Sequence, residues 1–289
     1  MSRDLLLGSQ LLKRATWGLL RVLARDLWAD GARLLAHGVG DLLWWCDARG
    51  RRTVEANLRL LVPAHEARRR AARATYRACA EGMTFTLRLD RLHSADLPNR
   101  QALDPYSVLP LRGPAVLAGI HADWDALLAC LHLHAAAERL AVIVLPAGDV
   151  AVDAMLATLR SAVGAETLPW LTSGRAALRH LEAGGVIGVL ADRAYSGMVM
   201  TVEIGNLTLE VPTGPAELAR RSGAPLIPAA CLRTRDRTMV VVGKPIDVVT
   251  CGTRVALQRL VRFQIQVLSV NPSRWVAFHP VIRPTSAQR

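Results

Sequence analysis

The sequence predicts an α/β fold: a central, mostly parallel or mixed sheet flanked by helices and preceded by N-terminal amphipathic helices. Three observations carry this expectation. After Pro98, short apolar runs alternate with stretches of helical periodicity, the pattern of strand and helix units laid on a parallel sheet. Before Pro98, apolar residues recur at three- and four-residue steps, the spacing of a helix face. With 289 residues, 51% of them apolar, the chain can bury a full core, which excludes a disordered protein. Nothing in the order of residues supports collagen, a coiled coil or a repeat array.

Residues 1–47 read as helix. Leu5, Leu6, Leu12, Leu19, Leu20, Leu23 and Leu27 form the apolar stripe, with Lys13, Arg14, Arg21, Arg25 and Arg33 between them and Trp17, Trp28, Trp44 and Trp45 alongside. Such a segment suits a membrane interface; the plainer alternative is a helical hairpin packed on the body. This segment is set apart from an α/β domain over 48–289. Arg51 to about Leu92 is helical again, broken at Pro63, and its run Arg68-Arg69-Arg70 with Arg73 and Arg77 reads as a solvated face. Strands are expected at Ala115–Ile120, Leu140–Leu145, Val186–Leu190 and Pro225–Leu232. Further strand candidates are Met200–Ile204, Leu207–Val211 and Met239–Val242. Helices are expected at Trp124–Ala137, Val150–Val163, Gly174–Ala183 and Pro215–Ser222.

Lys+Arg number 36 against 24 Asp+Glu, a formal charge of +12, and only Lys13 and Lys244 are lysines. This balance fits nucleic acid, an anionic lipid surface, or the phosphates of a cofactor or carrier, and charge alone does not choose between them. Nucleic acid ranks last, because the arginines are spread among amphipathic helices with no nucleic-acid motif. No 18-residue stretch is both apolar and free of charge, so a spanning helix is not expected. Met1-Ser2-Arg3-Asp4 makes a poor secretory start, and a cytoplasmic protein is expected, with peripheral contact at the inner face of the membrane as an option. Cys46, Cys79, Cys130, Cys231 and Cys251 are odd in number and form no C-x-x-C pair. They suggest neither a disulfide framework nor a zinc site, and read mostly as small buried residues. No metal ligands and no resident cofactor are expected.

Sites in such sheets collect at the carboxyl ends of strands, and three segments fall there. The first is His121-Ala122-Asp123-Trp124-Asp125, where a strand turns into a helix. A carboxylate near His121 can fix its tautomer and leave the other ring nitrogen to act as a base; Asp123 as a helix cap and Asp125 as a first-turn acid are the plainer alternative. The second is Asp192-Arg193, at the end of the 186–190 strand. There Arg193 could grip a phosphate or carboxylate, or simply pair with its neighbour. The third is Pro212-Thr213-Gly214-Pro215, which opens a helix that Gly223 stops; Thr213 is a natural cap, and the helix start can stabilise an oxyanion. No Gly-x-Ser-x-Gly elbow, Walker loop, dinucleotide fingerprint or His-Glu-x-x-His is present. His132, His134 and His180 read as structural or surface residues.

These blocks together resemble a known family. Arg51 to Arg59, Val186 to Arg193, the run Val211 to Ala229 (VPTGPAELARRSGAPLIPA) and Asn271-Pro272-Ser273-Arg274-Trp275 are similar to segments of the bacterial lipid A lauroyl/myristoyl and phosphatidylinositol mannoside acyltransferases, within the lysophospholipid acyltransferase-like superfamily. The resemblance spans about Arg51 to Trp275. It implies transfer of an acyl chain from a thioester, on coenzyme A or acyl carrier protein, to the hydroxyl of a lipid or glycolipid, without an acyl-enzyme. It implies His121 as the general base and Asp125 as its supporting acid, although three residues separate them where the family has four; Asp123 is the alternative partner. Asp123, Trp124, Arg193, Thr213 and Gly214 are the implied substrate-binding residues. An amine or soluble acceptor, and a non-catalytic carrier- or membrane-binding relative, are the other readings. The family's further acid is not evident, and Glu203-Ile204-Gly205 occupies its region.

Overall fold

The structure, a computed structural model, describes residues 14–24, 27, 29–92, 96–134, 136–194, 198–205 and 207–284. Of the N-terminal pattern, Leu5, Leu6, Leu12, Lys13, Arg25 and Trp28 lie outside these residues. The described residues begin with α1 (14–24), α2 (Ala29–Cys46), α3 (Ala48–Leu58) and α4 (His65–Thr86). Asp47 separates α2 from α3 and caps the latter by accepting from the Gly50 amide. The break at Pro63 falls between α3 and α4, as expected. Two arginines of the supposed solvated run do more than face water: Arg73 and Arg77 both donate to the Asp41 carboxylate at 2.6–2.9 Å. They tie α4 to α2 and hold that carboxyl well below its ordinary range.

The body alternates as expected: β1 (Arg100–Leu103), β2 (Ala115–Gly119), α5 (Trp124–Leu133), β3 (Leu140–Val144), α6 (Val150–Ser161), β4 (Ala165–Pro169), α7 (Ser173–Glu182), β5 (Val186–Leu190), β6 (Val199–Ile204), β7 (Leu207–Pro212), α8 (Gly214–Ser222), β8 (Leu226–Arg233), β9 (Thr238–Val242), α9 (Val248–Val270) and β10 (Ile282–Pro284). The main sheet runs β1-β9-β8-β2-β5-β3-β4; β8 and β9 are antiparallel and the other neighbours are parallel. A small antiparallel sheet, β10-β7-β6, stands beside it.

Alternation along β2 builds two cores. Ala115 and Leu117 point into the cluster under α5, while Val116 and Ala118 point into the cluster with α7, α8 and α9, as successive strand residues must. A third cluster joins Trp44, Val54, Leu58 and Tyr76 of the helical segment to Ile120, Val241 and Trp275. Several expectations need correcting. The helix from Trp124 ends at Leu133 rather than Ala137, because Ala136 and Ala137 pair instead with Leu111. β1, β4 and β10 and the long α9 escaped the pattern; β1 is exposed along its whole length and β4 alternates only loosely, so neither makes an apolar run. Among the cysteines, Cys130 and Cys231 are buried, but Cys46 is exposed and the other two are intermediate.

Candidate functional site

The carboxyl ends of β2 and β5 lie side by side. Their register pairs Gly119 with Leu190, and the Ala191 amide donates to the Gly119 carbonyl. Two residues further on, His121 therefore stands opposite Asp192. The two meet: His121 Nδ1 lies 2.6 Å from Asp192 Oδ1. The other carboxylate oxygen accepts from the Trp275 indole N–H at 2.8 Å. The Val276 amide donates to the His121 carbonyl, so the segment after α9 grips both members of the pair. Asp192 is all but inaccessible, with a side-chain exposure of 2% against 18% for His121. Burial pushes its carboxyl up, but the charge and hydrogen bond of His121, the indole N–H and the charge of Arg193 outweigh it, leaving the group below the ordinary carboxylate range. With Nδ1 held by a carboxylate, Nε2 is the nitrogen available for proton transfer.

The pairing expected from spacing, His121 with Asp125, does not form. Asp125 sits in the first turn of α5 and accepts from Arg160 of α6 (2.9 Å) and from Thr86 of α4 (2.5 Å). The reason is local. Asp123 takes a left-handed conformation (φ 47°), which aspartate tolerates better than most residues, and the helix starts only after that turn. Nor does Asp123 cap α5 with its side chain. Its buried carboxylate accepts from the Arg233 amide (3.0 Å) and guanidinium (3.1 Å) and from Arg274 Nε (2.8 Å). Arg274 also donates to Glu81 at 2.6 Å, and Glu81 meets His37 at 2.5 Å. Burial raises the Asp123 carboxyl, and the two guanidiniums more than reverse this. These ion pairs knit α2, α4, β8 and the loop after α9 together directly behind the His121 turn.

In front of the pair lies a cavity of about 900 Å³, at the top of the range for small-molecule sites. His121, Trp124, Arg193, Thr213 and Gly214 all line it, so five of the seven expected site residues share one space; Asp123 and Asp125 are not among its lining residues. The long wall is apolar, from Ile143, Val144, Leu145, Leu156, Trp170 and Leu190. Trp124 is seated on two strand glycines: a Cβ on Gly119 would fall 2.0 Å from its ring, and one on Gly188 3.1 Å. Thr213 does not cap α8 with its side chain as expected; its hydroxyl donates to the Met198 carbonyl at 3.1 Å. The first turn of α8 still borders the cavity through Gly214, Pro215 and Glu217, and Gly223 ends that helix in the left-handed region (φ 70°) as expected.

Two residues central to this geometry, Asp192 and Trp275, carry no sequence signal of their role. Asp192 is the neighbour of Arg193, and Trp275 ends the C-terminal block of the resemblance. A third, His279, is within reach of the charges of Arg193 and His121, which together with burial hold its imidazole below the usual range. Glu203, in the region of the absent acid, is exposed on β6. Among the described residues no group of three or more His, Cys, Asp or Glu could hold a metal ion, and no helix is long and apolar enough to cross a membrane. The family model described as bacterial lipid A biosynthesis acyltransferase matches residues 10–283. No curated protein matches the chain.

Proposed function

Since the chain belongs to the bacterial lipid A biosynthesis acyltransferase family, and so is an acyltransferase with an acyl donor and a lipid acceptor, we propose that it moves an acyl chain from a thioester, on coenzyme A or an acyl carrier protein, to a hydroxyl of a lipid or glycolipid. The observation that carries this reading is the pairing of His121 with the buried Asp192 at the edge of a large, mainly apolar cavity. In the proposed reaction, His121 Nε2 takes the acceptor hydroxyl proton as the oxygen attacks the thioester carbon. Asp192 holds the Nδ1–H and stabilises the imidazolium that forms. The tetrahedral oxyanion then collapses with cleavage of the carbon–sulfur bond, and the imidazolium returns its proton to the departing thiolate. The apolar wall from Ile143 to Trp170 holds the acyl chain. Arg193 meets a phosphate or other polar part of donor or acceptor, and the first amides of α8 add favourable potential for the oxyanion. Asp125 in this reading lies outside the cavity and positions Arg160, which lines it.

Peripheral attachment to a membrane is part of the same proposal. Leu34, Leu42 and Trp45 lie at helical spacing on α2 and are 63–72% exposed, facing away from α4, on which α2 packs. Leu19, Val22 and Leu23 of α1 are exposed as well. A stripe of this kind on a protein of charge +12 suits an anionic lipid surface. The reaction is tested by thiol release from a panel of acyl thioesters with a glycolipid or an amine acceptor and mass analysis of products. Wild type should turn over only with an acceptor, and His121→Ala should lose at least about a hundredfold while keeping its fold. Turnover that survives in His121→Ala would remove the base assignment.

A further inference from the structure

A second cavity, of about 600 Å³, lies on a different part of the body and shares no lining residue with the first. It runs between β8 and β9 on one side and α9 on the other. Its floor is apolar and buried: Leu232, Val241, Val242, Ile246 and Val267, with Phe263 beside them. Helical spacing explains how α9 contributes. Arg259, Arg262, Phe263, Gln266, Val267 and Val270 recur at steps of three, one, three, one and three, so they fall on one face.

The charged groups around this floor all have one sign. Lys244, Arg259 and Arg262 line the groove and no aspartate or glutamate does. None of the three cations appears in an ion pair among the described residues. The arginines that knit the fold together are held differently, each on a carboxylate: Arg73 and Arg77 on Asp41, Arg160 on Asp125, Arg274 on Asp123. An apolar trough edged by three unneutralised cations attracts a molecule with an apolar body and an anionic head. A second copy of this chain is a poorer occupant, because a two-fold contact through the groove would bring the same cations face to face.

We propose that this groove is a binding site for a single-chain anionic amphiphile, of which a fatty-acid carboxylate is the simplest form, with the chain on the Val241–Val267 floor and the head between Lys244, Arg259 and Arg262. The volume suits one such molecule. The site is independent of the acyl-transfer reading, since none of its residues touches the His121 cavity.

The test is photolabelling of the full chain with a dodecanoate carrying a diazirine near its methyl end, followed by peptide mapping. A quaternary ammonium with the same chain and diazirine serves as control. Peptides within 239–270 should be labelled by the carboxylate and at least tenfold less by the ammonium. The label there should fall by a similar factor in Arg259→Glu/Arg262→Glu, while Ala157→Trp, which fills the His121 cavity, should leave it in place. Absence of label in 239–270, equal labelling by both probes, or labelling that survives the double reversal would each overturn the site. So would self-association lost in the double variant without any label, which would make the groove a contact between copies. The comparison of the two probes needs only wild-type protein, so misfolding of a variant does not shelter the proposal. Failure here with intact thioester turnover would leave the reaction untouched, and the reverse pattern would leave the groove.

Discussion

Asp192→Asn is the sharpest perturbation of the proposed reaction, because it changes one buried oxygen to nitrogen and little else. Asp192 Oδ1 lies 2.6 Å from His121 Nδ1 and its other oxygen is held by Trp275. An asparagine brings one accepting oxygen and one donating amide to these two donors, so either the ring loses its acceptor or the indole does. In both cases the negative charge that stabilises the imidazolium is gone. A positioned acid–base pair contributes roughly 10²–10⁴ in rate, which at about 1.36 kcal/mol per decade corresponds to about 2.7–5.4 kcal/mol of transition-state stabilisation. Steady-state thiol release with a fixed acceptor should therefore show kcat down at least about a hundredfold, with KM for the thioester little changed, since Asp192 does not reach the cavity wall. Asp125→Asn is the matched control: its partners are Arg160 and Thr86, and the expected loss is under about tenfold, the scale of one or two perturbed hydrogen bonds. If Asp125→Asn proves the crippling change and Asp192→Asn stays within a few-fold of wild type, the pairing read here is not the working one. Combining Asp192→Asn with His121→Ala should add little to the single loss, because the two act as a unit.

Trp275→Phe removes the indole donor from Asp192 while keeping an aromatic ring; one hydrogen bond of about 1–1.5 kcal/mol predicts roughly a tenfold fall in kcat, and an equal rise in KM instead would assign Trp275 to substrate contact. Arg274→Ala strips Asp123 of one of its two guanidinium partners in a buried site and should destabilise by about 3 kcal/mol, seen as a lower urea midpoint; a change under about 0.5 kcal/mol would mean that Arg233 alone satisfies that carboxylate. The same two buried acids set an acid limit. Asp123 and Asp192 are both held below the ordinary carboxylate value, so the stability they confer is complete above about pH 4 and is lost as the pH falls through their lowered values. Urea midpoints should decline steeply below about pH 4, and Asp123→Asn should flatten that decline; an unchanged slope would show that Asp123 is not among the groups that protonate on acid unfolding.

Much of this protein is legible along the chain because the relevant signals are local. Val186–Leu190 is both the expected and the observed strand, and the starts of α5 and α6 fall at Trp124 and Val150 as read, since a buried run and a helix face are written in adjacent residues. The position of His121 at a strand's carboxyl end, and the company of Trp124 and Arg193, follow from the same rule, because strand ends in a parallel sheet share one edge; Thr213 and Gly214 reach the cavity from the end of β7, in the small antiparallel sheet. What stayed hidden was which acid reaches the histidine. Spacing pointed to Asp125, four positions on, but one left-handed residue, Asp123, turned that side chain toward Arg160. The carboxylate that arrives is 71 residues away, and the indole that orients it another 83 beyond. Sheet order decides this: β2 lies beside β5 rather than β3, and strand order is set by how crossovers pack across the whole domain, not by any short stretch of chain. The sequence by itself thus determined the fold class and the strand edge on which His121 stands; only the tertiary structure decided which carboxylate meets that histidine, because contacts across a sheet join residues that are distant along the chain.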